Sequence, residues 1–368
     1  MTAPLLLHVF PSFAAGGAQI RFAAVANRFG PAWRHAIVAL DGDLSCRARL
    51  APGLDVAFPE IAVRKGATLP NVLRYARFLG ALRPDRLVTS NWGSIEWAMA
   101  NHLAGIPHLH MEDGFGPEER ARQLSRRVRA RRLFLRRSEI LLPSQTLFAI
   151  ARDLWRLPPA RLHYVPNGVD LAASAAPAPA VALPAAADGP LIGTIAALRP
   201  EKALDRLLRA FRIVTERMPA RLLLVGDGPE RAKLQALAAE LGITARVAFA
   251  GHLPDPRPLY ASFDLFALSS DTEQMPLSVL EAMAAARAVA ATAVGDIASM
   301  LAPGNRPFLC PPDPARLAAA IQALLEAPDL RVAIGAANRA RAEQEFDQER
   351  MFERFAALYR TDRQGDAA

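Results

Sequence analysis

The chain has 368 residues, of which 52% are hydrophobic and 22% are charged, and its formal net charge is +8. This composition is typical of a globular protein, and the length suggests two domains. No apolar run reaches the roughly 20 residues that a membrane-spanning helix needs. The two cysteines, Cys46 and Cys310, form no metal or redox motif, which predicts a reduced, cytoplasmic setting. Arginine provides nearly all of the positive charge, since the only lysines are Lys65, Lys202 and Lys233.

Short apolar segments alternate with helical patterns along the chain, as is typical of parallel α/β folds. In the first half, strands are predicted near Leu5, Ile37, Leu87, His108 and Leu141. The stretch 172–189 is rich in alanine and proline, which disfavour a central strand or a long helix, so it is predicted to be an interdomain linker. A second series of strands is predicted near Leu191, Leu222, Val247, Phe266, Val289 and Leu309. The chain after Arg341 has the pattern of an amphipathic helix.

The segment 270–295 has two glutamates, Glu273 and Glu281, on either side of Pro276, which is predicted to open a helix. A helix start presents unpaired N–H groups and a partial positive charge, both of which suit a phosphate. Glu281 would lie roughly 7.5 Å further along the helix axis. One ligand could therefore contact both carboxylates and the helix start, as a nucleotide-sugar would. The alternative is a surface helix with a solvated glutamate.

Three further segments contain residue types that suit a phosphate. Gly16 and Gly17 lie between a predicted strand and a helix, where glycine allows close approach of a ligand; a simple turn is the alternative. Arg199 and Lys202 follow a predicted strand and could clamp a diphosphate, the alternative being an exposed basic loop. Gly226 begins a tight strand-to-helix turn that is consistent with a nucleotide cleft.

Histidine and acidic residues are combined at the end of the predicted strand near His108. His110, Glu112 and Asp113 follow in the sequence, and acidic residues on such a loop could contact a sugar hydroxyl or accept a proton. A metal site would need a tighter set of ligands, so no metal is predicted. We expect His108 to be packed rather than functional.

Residues 120–137 contain nine arginines on a predicted helix with an apolar stripe formed by Leu124, Val128 and Leu135. A solvated basic face and a surface for anionic lipid remain open as interpretations. Nucleic acid is disfavoured, because no aromatic residues suited to base stacking are interleaved with the arginines. The candidate membrane or acceptor surface comprises Arg126, Arg127, Arg131 and Arg132.

Seven motifs occur in a specific order: GGAQ at Gly16, LLPSQ at Leu141, VPNGVD at Val165, LRPEK at Leu198, VGDGPE at Val225, AFAGHLPD at Ala248 and the two-glutamate segment. In order and spacing, nearly the whole chain resembles the family-4 glycosyltransferases, which are retaining, nucleotide-sugar-dependent enzymes of the GT-B fold. The resemblance implies an α/β protein with two Rossmann-like domains whose parallel sheets face each other across a cleft. With the strand pattern, it predicts domains at 1–171 and 190–345, the linker at 172–189 and a C-terminal helix at 346–368 that crosses back to the N-terminal domain.

The resemblance also implies roles for the candidate residues of the second domain. Arg199 and Lys202 match the pair that neutralises the donor diphosphate. Glu281 matches the glutamate that holds the ribose hydroxyls, and Glu273 the one near the transferred sugar. The segment between these glutamates matches the backbone that meets the sugar and phosphates, and its residues are Met275, Pro276, Leu277 and Ser278.

In the first domain, Gly16 and Gly17 match the glycines that approach the phosphate, and Asp113 stands where many relatives have histidine. In the second, Ala203 and Gln274 stand where relatives often have glycine. The catalytic set implied by the resemblance is Asp113, Glu273, Arg199 and Lys202.

The implied reaction moves a sugar from a nucleotide-diphosphate sugar to a hydroxyl of a saccharide or lipid-linked acceptor, in synthesis of a bacterial envelope or exported polysaccharide. No cofactor is expected beyond the nucleotide-sugar co-substrate. The arginine-rich helix suggests a peripheral position at the inner face of the plasma membrane. Because no carboxylate nucleophile stands out, we expect the acceptor to attack on the face that the leaving group departs from. A GT-B scaffold without turnover and a nucleotide-sugar epimerase are the alternatives.

Overall fold

The computed structural model describes residues 2–64, 66–115, 117–119, 122–173, 176–186 and 188–360. The chain forms two compact units. Unit 1 contains the chain up to Asn167 and again from Glu349, and unit 2 is Gly168–Gln348. In the predicted linker, residues 176–186 form neither helix nor strand, and residues 174, 175 and 187 lie outside the described part.

Unit 1 is built on a parallel sheet of seven strands. These strands are β1 (Leu5–Phe10), β2 (Arg34–Ala39), β3 (Val56–Ala57), β4 (Arg86–Ser90), β5 (His108–Met111), β6 (Glu139–Leu142) and β7 (Leu162–Tyr164). Its first helices are α1 (Gly17–Phe29), α2 (Thr68–Leu82), α3 (Ile95–Ala104), α4 (Ser125–Phe134) and α5 (Gln145–Ala149). The strand order is β3-β2-β1-β4-β5-β6-β7.

The five strands predicted for the first half are confirmed as β1, β2, β4, β5 and β6. They are detectable because central strands of a parallel sheet are buried on both faces and therefore appear as continuous apolar runs. The edge strands β3 and β7 have only two and three residues, too few for a periodic pattern, and the sequence does not predict them.

The last helix, α12 (Gln348–Tyr359), packs into unit 1. Its Phe355 and Tyr359 are buried in a cluster with Leu6 and Val88 from the centre of the sheet. An amphipathic helix is therefore confirmed in the C-terminal segment, because these apolar residues recur at helical spacing on one face. The rest of the predicted helix, from residue 361 on, lies outside the described residues.

Unit 2 contains a parallel sheet of six strands, all of them predicted. They are β8 (Leu191–Ile195), β9 (Arg221–Val225), β10 (Val247–Gly251), β11 (Leu265–Leu268), β12 (Val289–Thr292) and β13 (Leu309–Cys310). The helices are α6 (Leu204–Thr215), α7 (Arg231–Glu240), α8 (Leu277–Ala284), α9 (Ile297–Met300), α10 (Pro314–Glu326) and α11 (Pro328–Glu345). One face of the sheet packs against α6, α7 and α10, and the other packs against α8 and α9.

The strand order in unit 2 is β10-β9-β8-β11-β12-β13, so the chain moves outward from β8 and then returns to its other side at β11. Unit 1 reverses in the same way between β1 and β4. We call these two positions switch points. In open parallel sheets, ligands bind beyond the carboxyl ends of the strands at a switch point, because the flanking loops diverge there.

Candidate functional site

Two loops meet at the switch point of unit 2. The loop after β8 contains Arg199 and Lys202, and the loop after β11 contains Glu273. The hydroxyl of Ser269 donates to the Lys202 carbonyl at 3.0 Å, and a backbone hydrogen bond of 2.9 Å also joins the two loops. These hydrogen bonds hold the two loops together, so the cations and the glutamate lie in one hydrogen-bonded framework although they are more than sixty residues apart in the sequence.

Lys202 and Glu273 form an ion pair inside this framework. The Nζ of Lys202 lies 2.6 Å from Oε1 of Glu273, and the same oxygen accepts a hydrogen bond of 2.7 Å from the hydroxyl of Ser270. The side chains are 24% and 9% exposed, respectively. Partial burial and charge assistance both strengthen the pairing. Arg199, by contrast, is exposed.

Helix α8 begins beside Glu273. Pro276 has an extended ψ of 124°, so it caps the helix, and the first helical residue is Leu277. The prediction that Pro276 occupies the first helical position is therefore wrong by one residue. The N–H groups of Leu277 and Ser278 have no acceptor within the helix, as in any first turn, and they point away from its body. Met275, just before the cap, is buried.

Glu281 lies in the second turn of α8 and is oriented by a residue that sequence reasoning misses. The hydroxyl of Tyr260 donates to Oε2 of Glu281 at 2.8 Å. Burial, and then the negative charge of Glu281, raise the pKa of Tyr260 well above its ordinary value, so the phenol stays protonated as a donor. Nothing in the local sequence around Tyr260 indicates this contact, because the two residues come from separate elements.

Two of the departures from the family pattern have a structural account. Ala203 adopts a left-handed backbone with φ of 44°, which explains why glycine is frequent there. Gln274 is not among the described non-glycine residues with positive φ, so its backbone does not require glycine. Gly295 does have that requirement, since its φ is 55° and a Cβ would lie 2.2 Å from the Glu273 carbonyl oxygen.

Close packing between two loops requires a glycine at position 226. Its φ is 132°, and a Cβ would lie 1.9 Å from the carbonyl oxygen of Ala196. The glycine thus allows the loop after β9 to pass directly against the loop that contains Arg199. Gly226 thereby supports the loop that contains Arg199.

In unit 1, the predicted glycines lie at the switch point after β1. Gly16 caps helix α1 with an extended backbone, φ −152°, and Gly17 is the first helical residue. A Cβ on Gly16 would lie 2.9 Å from Oε1 of Gln19, the end of a flexible side chain. No side chain caps this helix, so its first N–H groups face outward from the switch point.

Asp113 is paired with a buried arginine that the sequence does not single out. One terminal nitrogen of Arg21 lies 2.6 Å from Oδ1 of Asp113, and the other donates to Oδ1 of Asn167 at 2.6 Å. The backbone N–H of Asp113 donates to Oδ1 of Asn91 at 2.7 Å. Arg21 therefore compensates the charge of Asp113, whose side chain is 15% exposed. Arginine is so common in this chain that composition alone could not identify it.

The prediction for helix α4 is wrong at Arg131, which is fully buried, and at Arg127, which is mostly buried between Glu118 and Glu119. Arg131 pairs with Glu112 and Glu119. A carboxylate in the interior requires a compensating charge, so these arginines face inward. Arg131 lies seven residues after Leu124, on the predicted apolar stripe, and that spacing is the signal that indicates its burial.

The predicted apolar stripe and the packing of His108 are confirmed, and the exposed arginines of α4 stay a prediction as a membrane or acceptor surface. Arg126 and Arg132 are exposed on α4, and the stripe residues Val128 and Leu135 are buried. His108 is buried and packed, with its ring nitrogens bonded to the hydroxyls of Thr89 and Ser138. None of the described helices combines the length and apolarity that a membrane crossing requires.

Comparison with known proteins identifies the family. Residues 15–173 match the family described as Glycosyltransferase Family 4, and residues 189–327 match Glycosyl transferases group 1. The chain belongs to the family-4 glycosyltransferases. The predicted GT-B fold is confirmed by solved structures such as HepE of Anabaena in complex with UDP, with a TM-score of 0.78, 21% identity, and coverage of 96% of this chain and 98% of that one.

Two curated relatives match this chain over shorter stretches. It is 31% identical over 166 residues to N-acetyl-alpha-D-glucosaminyl L-malate synthase of Bacillus anthracis, which covers 45% of this chain and 44% of that protein. It is 30% identical over 221 residues to D-inositol 3-phosphate glycosyltransferase of Nocardia farcinica, covering 56% and 48%. The chain thus spans about half the length of the curated relatives it matches.

Proposed function

We propose that this glycosyltransferase moves a sugar from a nucleotide-diphosphate sugar to a hydroxyl of a second substrate. The observation that carries the proposal is the Lys202–Glu273 pair, 2.6 Å apart, at the switch point beside the start of α8. Lys202, Arg199 and the first N–H groups of α8 suit a diphosphate. Glu281, held by Tyr260, suits the ribose hydroxyls as an acceptor.

The chemistry follows from where charge develops. The bond between the anomeric carbon and the diphosphate oxygen breaks as the acceptor oxygen forms its bond to that carbon, and the hydroxyl proton passes to the departing phosphate oxygen. Lys202 and Arg199 stabilise the diphosphate more strongly as its charge grows, which lowers the barrier. Attack on the same face retains the anomeric configuration. An inverted product by NMR would contradict this part of the proposal.

Asp113 is proposed to accept a hydrogen bond from a sugar hydroxyl. Its Oδ1 is held by Arg21, whereas its Oδ2 has no hydrogen-bond partner among the described residues. A buried acceptor without a partner costs free energy, and a ligand hydroxyl would remove that cost. Arg21 compensates the negative charge of Asp113, so the pair as a whole is neutral.

A transfer assay with UDP-, GDP- and ADP-sugars tests the proposal. Lys202→Ala should lower kcat/KM by about 10²-fold or more, because it removes a cation from the leaving-group site. Glu273→Ala should also lower kcat/KM, because it removes the carboxylate that holds Lys202 in place. Lys233→Ala is the matched control, since Lys233 forms an exposed pair with Glu230 in the same unit. Equal activity in all three variants would refute the assignment.

Separate measurements of donor binding and donor turnover distinguish this function from a scaffold and from an epimerase. A thermal-shift panel detects donor binding, because a donor at about 100 times its Kd stabilises the folded protein by about 2.7 kcal/mol. Donor binding without transfer to any acceptor favours a scaffold. Conversion of the donor sugar with no acceptor present favours an epimerase.

We further propose that the acceptor is a saccharide or lipid-linked saccharide of the bacterial envelope, reached through the basic face of α4. Arg126 and Arg132 are exposed there, and Leu133, which directly follows Arg132, is 63% exposed. Cations next to an exposed leucine suit an anionic lipid surface. Replacing both arginines by glutamine should weaken co-sedimentation with anionic vesicles. The charge-matched control replaces Arg209 and Arg316, which are exposed in unit 2; equal binding by both variants would leave α4 as a solvated face.

A further inference from the structure

A fully buried arginine lies beneath the loop that contains Asp113. The Nε of Arg131 donates to Oε2 of Glu112 at 3.1 Å, and its two terminal nitrogens donate to the two oxygens of Glu119 at 3.3 and 3.2 Å. All three side chains of the ion-paired set are inaccessible to solvent. One guanidinium therefore binds the chain both immediately before Asp113 and six residues after it.

The guanidinium is also enclosed by aromatic rings. Its central carbon lies 4.7 Å from the ring of Trp155, 5.1 Å from that of Trp92 and 5.3 Å from that of Phe115; we call these three residues the arginine cage. A planar cation between ring faces gains favourable electrostatic energy, more so when it is desolvated. The cage and the ion pairs together fix the guanidinium in both position and plane.

A second arginine compensates the buried carboxylates of this cluster. Arg127 lies 3.0 Å from Oε2 of Glu119 and also pairs with Glu118 at the surface, so two arginines face the two buried glutamates. Although burial opposes ionisation, the bonds from Arg131 and Arg127 hold the pKa of Glu119 below its ordinary value. Glu119 therefore remains a carboxylate that accepts two directional bonds.

Apart from Trp155, the partners of Arg131 belong to the Asp113 loop itself or to the segment that follows β4. Glu112 directly precedes Asp113, and Phe115 follows it by two residues. Trp92 adjoins Asn91, whose side chain accepts the hydrogen bond from the Asp113 backbone. Moving the guanidinium would consequently move both of the segments that hold Asp113.

We propose that Arg131 is a positioning residue that fixes the backbone on either side of Asp113, and so presents this carboxylate to a sugar hydroxyl. The inference rests on the role proposed above for Asp113. A buried ion pair is often no more stabilising than apolar residues of the same volume, so stability alone does not account for three buried charges here. Directional bonds from one rigid guanidinium do account for them, because they define where each loop segment lies.

Hydrogen–deuterium exchange tests the positioning without relying on activity. Arg131→Lys keeps the charge but loses the planar fork, and Glu119→Gln keeps the shape but loses one charge, so at least one variant should fold. Peptides that span residues 112–119 should exchange about 10-fold faster, while peptides from β1 and β4 stay unchanged. Arg34→Lys is the matched control, since Arg34 pairs with Asp55 at 3.0 Å on the surface of the same unit. Unchanged exchange at 112–119 in a folded variant overturns the proposal.

A double-mutant cycle then tests whether Arg131 acts through Asp113. Arg131→Lys should lower kcat/KM between about 10-fold and 10²-fold in the wild-type background, but less than about 2-fold in an Asp113→Asn background. Equal effects in both backgrounds would mean a merely structural role and would overturn the proposal. If the wild-type protein transfers sugar from no donor, the proposed function fails, and the exchange result alone decides whether Arg131 positions the loop.

Discussion

Replacing Arg21 by methionine removes the cation that lies 2.6 Å from Asp113 while keeping a long apolar side chain in its place. The substitution leaves a carboxylate that is 15% exposed without its charge partner, and it removes the 2.6 Å hydrogen bond to Asn167. Breaking a buried pair by removing one partner costs about 3–5 kcal/mol. We expect the lower end of that range, about 3 kcal/mol, because Asp113 keeps some contact with water.

A loss of this size should be visible in thermal denaturation. For a unit of this length, about 3 kcal/mol corresponds to a fall in Tm of roughly 6–12 °C. Arg34→Met is the control, because it breaks an exposed arginine–aspartate pair of 3.0 Å in the same unit and should cost less than about 1 kcal/mol.

A double-mutant cycle that combines Arg21→Met with Asp113→Asn identifies the source of the lost stability. If the Arg21–Asp113 pair is responsible, Arg21→Met should cost much less in the Asp113→Asn background, since no unpaired charge is then buried. A cost below about 1 kcal/mol for Arg21→Met, or full additivity of the two substitutions, would refute the argument that Arg21 compensates Asp113.

Three further predictions concern other parts of the chain. Burial lowers the pKa of His35 from 6.5 to about 4, so the unfolded chain binds the extra proton first as pH falls. The contribution of His35 to the free energy of unfolding, measured by urea denaturation, should therefore be complete above pH 6.5. It should fall by roughly 1.4 kcal/mol per pH unit between pH 6.5 and pH 4, and His35→Gln should remove this part of the pH dependence. Tyr260→Phe should raise the donor KM by about 10-fold with little change in kcat, because the hydrogen bond to Glu281 orients a binding group; an unchanged KM in steady-state kinetics would contradict this. Gly226→Ala should lower the Tm of unit 2 markedly, since its Cβ would lie 1.9 Å from a carbonyl oxygen, whereas Gly304→Ala, with open space around it, should not.

The local sequence predicts most strands, because the burial of a central strand is recorded in its own apolar residues. Strands β1 and β8 appear as apolar runs since both faces of a parallel sheet are covered. The motif order also brings Lys202 and Glu273 to one switch point, because each follows a strand that borders it. Strand β3, with two residues, has no such pattern and emerges only when the sheet forms.

The sequence establishes the class of site: cations and glutamates at the carboxyl ends of parallel strands, before a helix start. Which charges lie in the interior follows from the tertiary structure. Arg21 looks like any other arginine of this basic chain, and Arg131 differs from the others only in lying on the apolar stripe of α4, whereas positive charge ordinarily indicates exposure. Each is buried because a carboxylate from a distant segment, Asp113 or Glu119, lies within hydrogen-bonding distance once the sheet has formed. The free energy of a buried charge depends on its partner in space, and neighbours in sequence do not reveal that partner.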